Sequence, residues 1–254
     1  VSLQPPAHLS PSSISTFQQC PLKFKYSKID GLVEPPTVHT LLGNFVHDIL
    51  EELYLKPSGE RNQDTARAIA RDKWFSDYEV QAKAMNLNNR DFRWKAWWCV
   101  ENLWQIEEPQ QEEFAGVETE VYGETNGVRI RGFIDRYKKN PDGTLEISDY
   151  KTGKIPAPRY AEDKFTQLYI YALMLKALDV GNTSKVSLVY LAGPEVLTRE
   201  ITNQALDKTV KLLVTTKNEV DAFCEKGEFP AKPSGLCNWC HFKKMCPAWT
   251  NKKG

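Results

Sequence analysis

Hydrophobic positions recur along this chain in two rhythms, and the element changes where the rhythm changes. From Val38 to Lys56 the residues Leu41, Leu42, Phe45, Val46, Ile49, Leu50 and Leu53 keep a helical period, which predicts an amphipathic helix. Residues 12–28 predict another, with Ser12 or Ser13 as N-cap before Ile14 and Phe17, and the Pro-rich Glu34-Pro35-Pro36 separates the two. Helices are also predicted over 63–84, 89–107, 160–178 and 203–226. Strands are predicted near 116–123, 127–138, 144–151, 185–192 and 196–201. This order predicts an α/β fold, a central mixed β-sheet flanked by helices, with residues 57–110 as an N-terminal helical insertion. Trp94, Trp97, Trp98 and Trp104 in the insertion read as core packing.

Composition narrows the class. The 254 residues, 41% hydrophobic and 26% charged, suit a globular chain whose whole length, 1–254, forms one domain. No apolar run approaches the ~20 residues that span a bilayer, and no secretory signal opens the sequence, so a cytoplasmic protein without membrane contact is expected. No G-x-x-x-x-G-K-[ST] segment is present, which argues against nucleotide hydrolysis. Charge is balanced, 33 basic against 33 acidic, yet unevenly spread. Eight glutamates and no Lys or Arg lie between Lys95 and Arg129, whereas the stretch from Ala231 to Gly254 has five lysines and no acid. Lys23, Lys25 and Lys28 follow Cys20, so both basic stretches flank cysteines and can supply phosphate contacts.

The densest chemistry lies in residues 131–154. Asp135 ends one predicted strand, Asn140-Pro141-Asp142-Gly143 makes the turn, and Asp149 and Lys151 share a face of the next strand. With a suitable hairpin register Asp135 joins them, and two carboxylates beside an ammonium make a hard-cation site suited to attack on a phosphodiester. A plain surface salt bridge between Asp149 and Lys151 is the competing reading. His47, one turn after Gly43, is a candidate third ligand, and Gln167 and Tyr171 share a helix face from which both can reach a phosphate or a carboxylate.

In this order, Gly43-x-x-x-His47, the GFID segment ending in Asp135, Asp149-Tyr150-Lys151-Thr152-Gly153 and Gln167-x-x-x-Tyr171 resemble the motifs of RecB-like nucleases, a branch of the PD-(D/E)XK superfamily. The resemblance runs from about Ser12 to Pro247. It implies a restriction-endonuclease-like core and a DNA nuclease using magnesium or manganese. His47, Asp135, Asp149 and the Tyr150 carbonyl would be metal ligands, Lys151 the catalytic lysine, and Gln167 and Tyr171 supports of the site. Ile134 stands where the superfamily name has proline, a position whose side chain does not contact metal.

Six cysteines remain to be explained. Cys237, Cys240 and Cys246 form a tail motif one ligand short of a tetrahedral site or a cubane, and Cys20 is the candidate fourth. Cys237-x-x-Cys240-His241 also fits covalent haem attachment, but that would leave Cys20 and Cys246 without a role. Cys99 and Cys224 read as small apolar packing residues. The four-cysteine pattern is similar to iron–sulfur RecB-like nucleases, which implies a 4Fe–4S cluster at Cys20, Cys237, Cys240 and Cys246, in a region comprising residue 20 and residues 227–249. Zinc in the same thiolates is the rival.

Together these features lead to the expectation of an exonuclease on single-stranded DNA or frayed ends, in recombination or repair, alone or with a helicase or recombination partner. Lys23, Lys25, Lys243 and Lys244 are expected to grip the DNA backbone, and Phe24, Tyr26 or Trp239 to stack on bases. A CRISPR spacer-acquisition nuclease and a non-catalytic DNA-binding scaffold are the alternatives.

Overall fold

The structure, a computed structural model, describes residues 2–250, so Val1 and residues 251–254 of the expected 1–254 domain lie outside the described residues. In chain order the helices are α1 (Pro11–Gln19), α2 (Pro21–Phe24), α3 (Val38–Leu55), α4 (Gln63–Lys73), α5 (Glu79–Ala84) and α6 (Asn89–Asn102). Three strands follow, β1 (Gly116–Thr125), β2 (Val128–Lys139) and β3 (Leu145–Lys151), and then α7 (Pro158–Lys164) and α8 (Thr166–Ala177). The chain continues through β4 (Thr183–Tyr190), β5 (Glu195–Glu200), α9 (Asn203–Lys226) and α10 (Pro247–Thr250). The strands form one sheet in the order β1-β2-β3-β4-β5, antiparallel between β2 and β3 and between β4 and β5, parallel between β3 and β4. This is the mixed α/β sheet with flanking helices that the pattern predicts. No helix among the described residues is long and apolar enough to cross a membrane.

The chain divides into two compact units. One comprises residues 1–35, 121–132 and 202–254, the other residues 36–120 and 133–201. The expected insertion over 57–110 falls inside the second, and Cys20 and residues 227–249 fall inside the first.

In the second unit α3 is the spine. Thr37 caps it by accepting the Thr40 N–H at 3.1 Å, and Leu41, Phe45, Val46, Ile49, Leu50 and Leu53 are buried along one side. They pack with Trp74, Tyr78 and Phe92 from the helical insertion in one core cluster. Phe45 is central, its ring centroid 4.6 Å from that of Tyr78 and 5.9 Å from that of Trp74.

The tryptophan expectation needs correction. Trp97 and Trp104 are half-buried against this core, but Trp94 and Trp98 are exposed, 62% and 43%, and stack on each other with centroids 5.5 Å apart. Helix geometry explains it: Phe92, Ala96, Cys99 and Val100 take the inward face of α6, and positions 94 and 98, four apart, share the outward one.

In the first unit the single helix expected over 12–28 is broken at Cys20, whose backbone is extended (φ −162°, ψ 110°) between α1 and α2. The proline at 21 is the cause, since the residue before proline is disfavoured in the helical region. A five-residue π-helical turn, Lys25–Ile29, follows α2. Phe17, Phe24, Phe223 and Phe229 form the aromatic core of this unit.

Trp74→Ala should cost about 3–5 kcal/mol of stability as a large core truncation. Trp94→Ala or Trp98→Ala should cost no more than the ~0.5–1.5 kcal/mol of an aromatic pair. Urea unfolding followed by circular dichroism separates the two, and comparable losses would contradict the assignment of Trp74 to the core and the pair to the surface.

Candidate active site

The site is built where the β2–β3 ladder ends. The turn is the one predicted, with Gly143 at φ 85° and the Thr144 N–H donated to Asp142 Oδ1 at 2.9 Å. Pairing runs from Lys139 opposite Leu145 to Arg136 opposite Ser148, which sets Asp135 across from Asp149 on one face of the sheet. The next amide, Tyr150 N–H, is donated to the Asp135 carboxylate, Oδ2, at 2.8 Å. Asp135 and Asp149 are both buried and Lys151 is half-buried.

His47 reaches this place from the flank of α3 that its apolar stripe leaves free. Its Nε2 lies 3.1 Å from the Tyr150 carbonyl oxygen, and its Nδ1 lies 3.4 Å from Asp135 Oδ2 and 3.9 Å from Glu118 Oε1. Both ring nitrogens face acceptors, an arrangement that suits the doubly protonated imidazolium. Burial opposes that charge, but the Asp135 and Glu118 carboxylates outweigh it and raise the His47 pKa to about 10. Burial likewise raises Asp135, but His47 and the Tyr150 amide overcome it and hold Asp135 below the ordinary carboxylate value. Gly43, one turn earlier on α3, lies against the DYKTG segment, where a Cβ would stand 3.6 Å from Thr152 Oγ1.

Asp149 has the opposite balance. Burial, and then the neighbouring Asp135 charge, push it up to about 6 against the pull of Lys151. Its Oδ1 accepts from Gln167 Nε2 at 3.1 Å, and its Oδ2 is ion-paired with Lys151. Gln167 Nε2 also lies 3.4 Å from Tyr171 Oη, so the two α8 residues form a chain behind this carboxylate. Burial works against the Lys151 ammonium, but Asp149 outweighs it and keeps Lys151 charged more firmly than an ordinary lysine.

Glu118 is the member that sequence reading missed. One ligand atom from each of His47, Glu118 and Asp135 lies within 4.8 Å of the others, a grouping able to hold a metal ion. Glu118 holds a left-handed backbone conformation (φ 41°) inside β1, costly for a non-glycine residue and characteristic of functional positions. Nothing in the run of eight glutamates singled it out. Carboxylate oxygens with one imidazole suit a hard divalent ion such as manganese or magnesium, so these residues fit the metal expected of the site. Asp149 is not one of the three, being turned to Gln167 and Lys151.

Of the six cysteines, Cys99 and Cys224 are buried, as expected of packing residues, and burial raises both thiols. Cys20, Cys237, Cys240 and Cys246 line one cavity of about 190 Å³ within the first unit. Backbone amides point at two of the sulfurs, Lys232 N–H at Cys20 Sγ (3.4 Å) and Ser234 N–H at Cys237 Sγ (3.3 Å), and the Ser234 contact is the main cause of a lowered Cys237 pKa. Of the lysines expected on DNA, Lys23 is paired with Glu34 at 3.0 Å and Lys25 with Asp30 at 2.7 Å. Lys243 lies over the Trp249 ring at 4.0 Å, and Lys244 has no acidic partner among the described residues. Phe24 is fully buried, which removes it as a base-stacking residue, whereas Trp239 is 80% exposed.

Mycobacterium phage L5 and Mycobacterium phage D29 each encode a Gene 69 protein 24% identical to this chain, with 94% of the chain and 96% of the phage protein covered in both cases. A crystal structure of a Eubacterium rectale protein, provisionally described as an exonuclease, superposes with a TM-score of 0.59 at 14% identity, covering 92% of this chain and 86% of that one. The sequence profile of the PD-(D/E)XK nuclease superfamily matches residues 8–247. With nearly the whole chain inside that match, the protein belongs to the PD-(D/E)XK nuclease superfamily.

Proposed function

We propose that this protein is a magnesium- or manganese-dependent deoxyribonuclease, acting as an exonuclease on single-stranded DNA or frayed ends in recombination or repair. The observation that carries the reading is the meeting of His47, Glu118 and Asp135 beside the Asp149–Lys151 pair. His47, Glu118, Asp135 and the Tyr150 carbonyl would hold the ion, and Asp149 would complete the set by giving up part of its pairing with Lys151. Such an ion, when bound, supplies a water nucleophile active near neutral pH and offsets charge on the phosphate oxygens. Lys151, held cationic by Asp149, faces the scissile phosphate and stabilises the charge that builds as the bond breaks. Gln167 fixes the Asp149 carboxylate and Tyr171 backs Gln167, so both act by positioning. The strand-end preference takes its support from the Eubacterium rectale protein of the same fold, provisionally described as an exonuclease.

The reading extends to a 4Fe–4S cluster on Cys20, Cys237, Cys240 and Cys246. Its support is that all four cysteines line one cavity, and a single zinc in the same thiolates is the rival reading. Such a cluster would link Cys20 to the tail and restrict the unfolded chain by about 5 kcal/mol through loop closure.

End-labelled single- and double-stranded DNA, incubated anaerobically with manganese, tests the activity. Wild type should shorten the single strand from an end, and Lys151→Ala should lower the rate by at least about a hundredfold, as for loss of one transition-state charge contact. Equal cleavage by both proteins would remove the catalytic assignment. The non-catalytic scaffold reading requires that neither protein cleave.

His47 supplies a separate check. Its folded pKa of about 10 lies above the ordinary 6.5, so its contribution to stability is complete below pH 6.5 and is lost as pH climbs through 10. Melting in EDTA should therefore show a Tm that declines across this window, and His47→Gln should flatten the decline. Added manganese competes with the imidazole proton, so the Tm gain it confers should grow with pH over the same range. A manganese effect independent of pH would exclude His47 from the ligand set.

Anaerobically purified protein should be brown, with about four irons per chain, and Cys246→Ser should bleach it. A colourless preparation carrying one zinc would overturn the cluster.

A further inference from the structure

Within the second unit, α4 and α6 enclose a groove of about 680 Å³ floored by Phe45, Ile49 and Ala70. The proposed active site makes no use of it. Arg67 and Arg71 rise from α4 on one side; Arg90, Arg93, Trp94 and Trp97 rise from α6 on the other. Acids on the same helices answer part of this charge: Arg67 lies 3.2 Å from Asp64 and 3.8 Å from Glu101, and Arg71 lies 3.9 Å from Asp72. Arg90 and Arg93 have no acidic partner among the described residues, although the chain as a whole is charge-balanced.

The aromatic groups are placed for stacking. Trp94 stands 62% exposed at the rim, stacked on Trp98. Arg67 lies 4.9 Å over the Trp97 ring and Arg93 lies 5.4 Å over Trp74, with the exposed Phe75 at 5.8 Å from Arg93.

Guanidinium groups without acidic partners beside an exposed flat ring pair call for a ligand with negative charge and flat faces together. We infer that this groove binds single-stranded DNA as an exosite, an inference that rests on the nuclease reading for its place in the reaction. Phosphates would pair with Arg90 and Arg93, and a base would stack on Trp94. A duplex hides its base faces and leaves the ring pair idle. An acidic peptide uses the arginines but not the stacking surface.

The place of the groove says what it does. Phe45 and Ile49 each lie two residues from His47 on α3, about 200° around the helix, so groove and metal ligands occupy opposite sides of a rod about 10 Å across. The exosite therefore holds strand remote from the reacting phosphate. It raises affinity for long strands and leaves a trinucleotide untouched.

Fluorescence anisotropy of labelled long oligothymidylate in EDTA reads binding without cleavage, and a manganese cleavage assay on a labelled trinucleotide reads the chemistry. Arg90→Ala with Arg93→Ala should weaken binding by about tenfold or more and make the slope of log affinity against log salt shallower by about 1.4, at about 0.7 per phosphate contact. Trp94→Ala should weaken binding by about tenfold and remove most of the tryptophan quenching seen on binding. Arg90→Glu, a single exposed change, guards against misfolding of the double variant and should lower affinity further than Arg90→Ala. Trinucleotide cleavage should be equal in all of them. Unchanged oligothymidylate affinity in Arg90→Glu and Trp94→Ala would overturn the exosite, as would polyglutamate competing as well as oligothymidylate. Wild type that binds through these residues but never cleaves would keep the exosite and remove the nuclease reading. Cleavage with binding indifferent to all three changes would do the reverse.

Discussion

A backbone amide answered by a carboxylate is the contact on which the site depends. Strand β3 would ordinarily give the Tyr150 N–H to a carbonyl of β2; it gives it to Asp135 Oδ2 instead, at 2.8 Å. That bond continues the contact between the strands past the end of their pairing at Arg136 and Ser148. It also orients Asp135 and leaves the Tyr150 carbonyl directed at His47, 3.1 Å away. One hydrogen bond thus connects three of the groups proposed to hold the metal. A charge-assisted bond of this kind is worth about 1.5–3 kcal/mol, more than a ladder bond.

The opposite face of the same strands supports it. Arg136 and Tyr150 alternate with Asp135 and Asp149, so they point away from the site. The Arg136 guanidinium is buried, paired through both arms with Glu107 (2.8 Å for the second), and lies 4.6 Å from both the Tyr150 and Phe114 rings. Tyr54 on α3 donates to the same glutamate. Removing one partner of such a buried pair costs about 3–5 kcal/mol, while replacing both with apolar groups is often neutral, so its value lies in geometry. It connects the helix that carries His47 to the strands that carry the two aspartates.

The electrostatics of the site are those of carboxylates waiting for a cation. His47 meets the need in part by staying protonated between Asp135 and Glu118, and Lys151 does so for Asp149. Even so, Asp149 is pushed up to about 6 by burial and by its neighbour. Hard divalent ions bind where such repulsion has already been built into a rigid frame. The aromatic packing of Phe45 with Trp74, Tyr78 and Phe92 is what makes that frame rigid on the α3 side.

By itself the sequence determined the element types, the mixed sheet and the turn that pairs β2 with β3, because those follow from local periodicity and from Asn140-Pro141-Asp142-Gly143. It also brought out His47, Asp135, Asp149, Lys151, Gln167 and Tyr171, residues whose chemistry is odd for their elements and whose order resembles a known family. The break at Cys20 was readable in Pro21, since the proline constrains its neighbour locally, yet one helix was expected there. Tertiary structure alone decided the place of Glu118, one glutamate among eight, beside His47 and Asp135, because that place comes from an unusual backbone angle and from neighbours distant in sequence. It alone turned Trp94 and Trp98 to solvent, since tryptophans at 94, 97 and 98 cannot all share one face of a helix. And it alone paired Lys23 and Lys25 with acids while leaving Arg90 and Arg93 without an acidic partner among the described residues, because charge pairing depends on which side chains folding brings within reach.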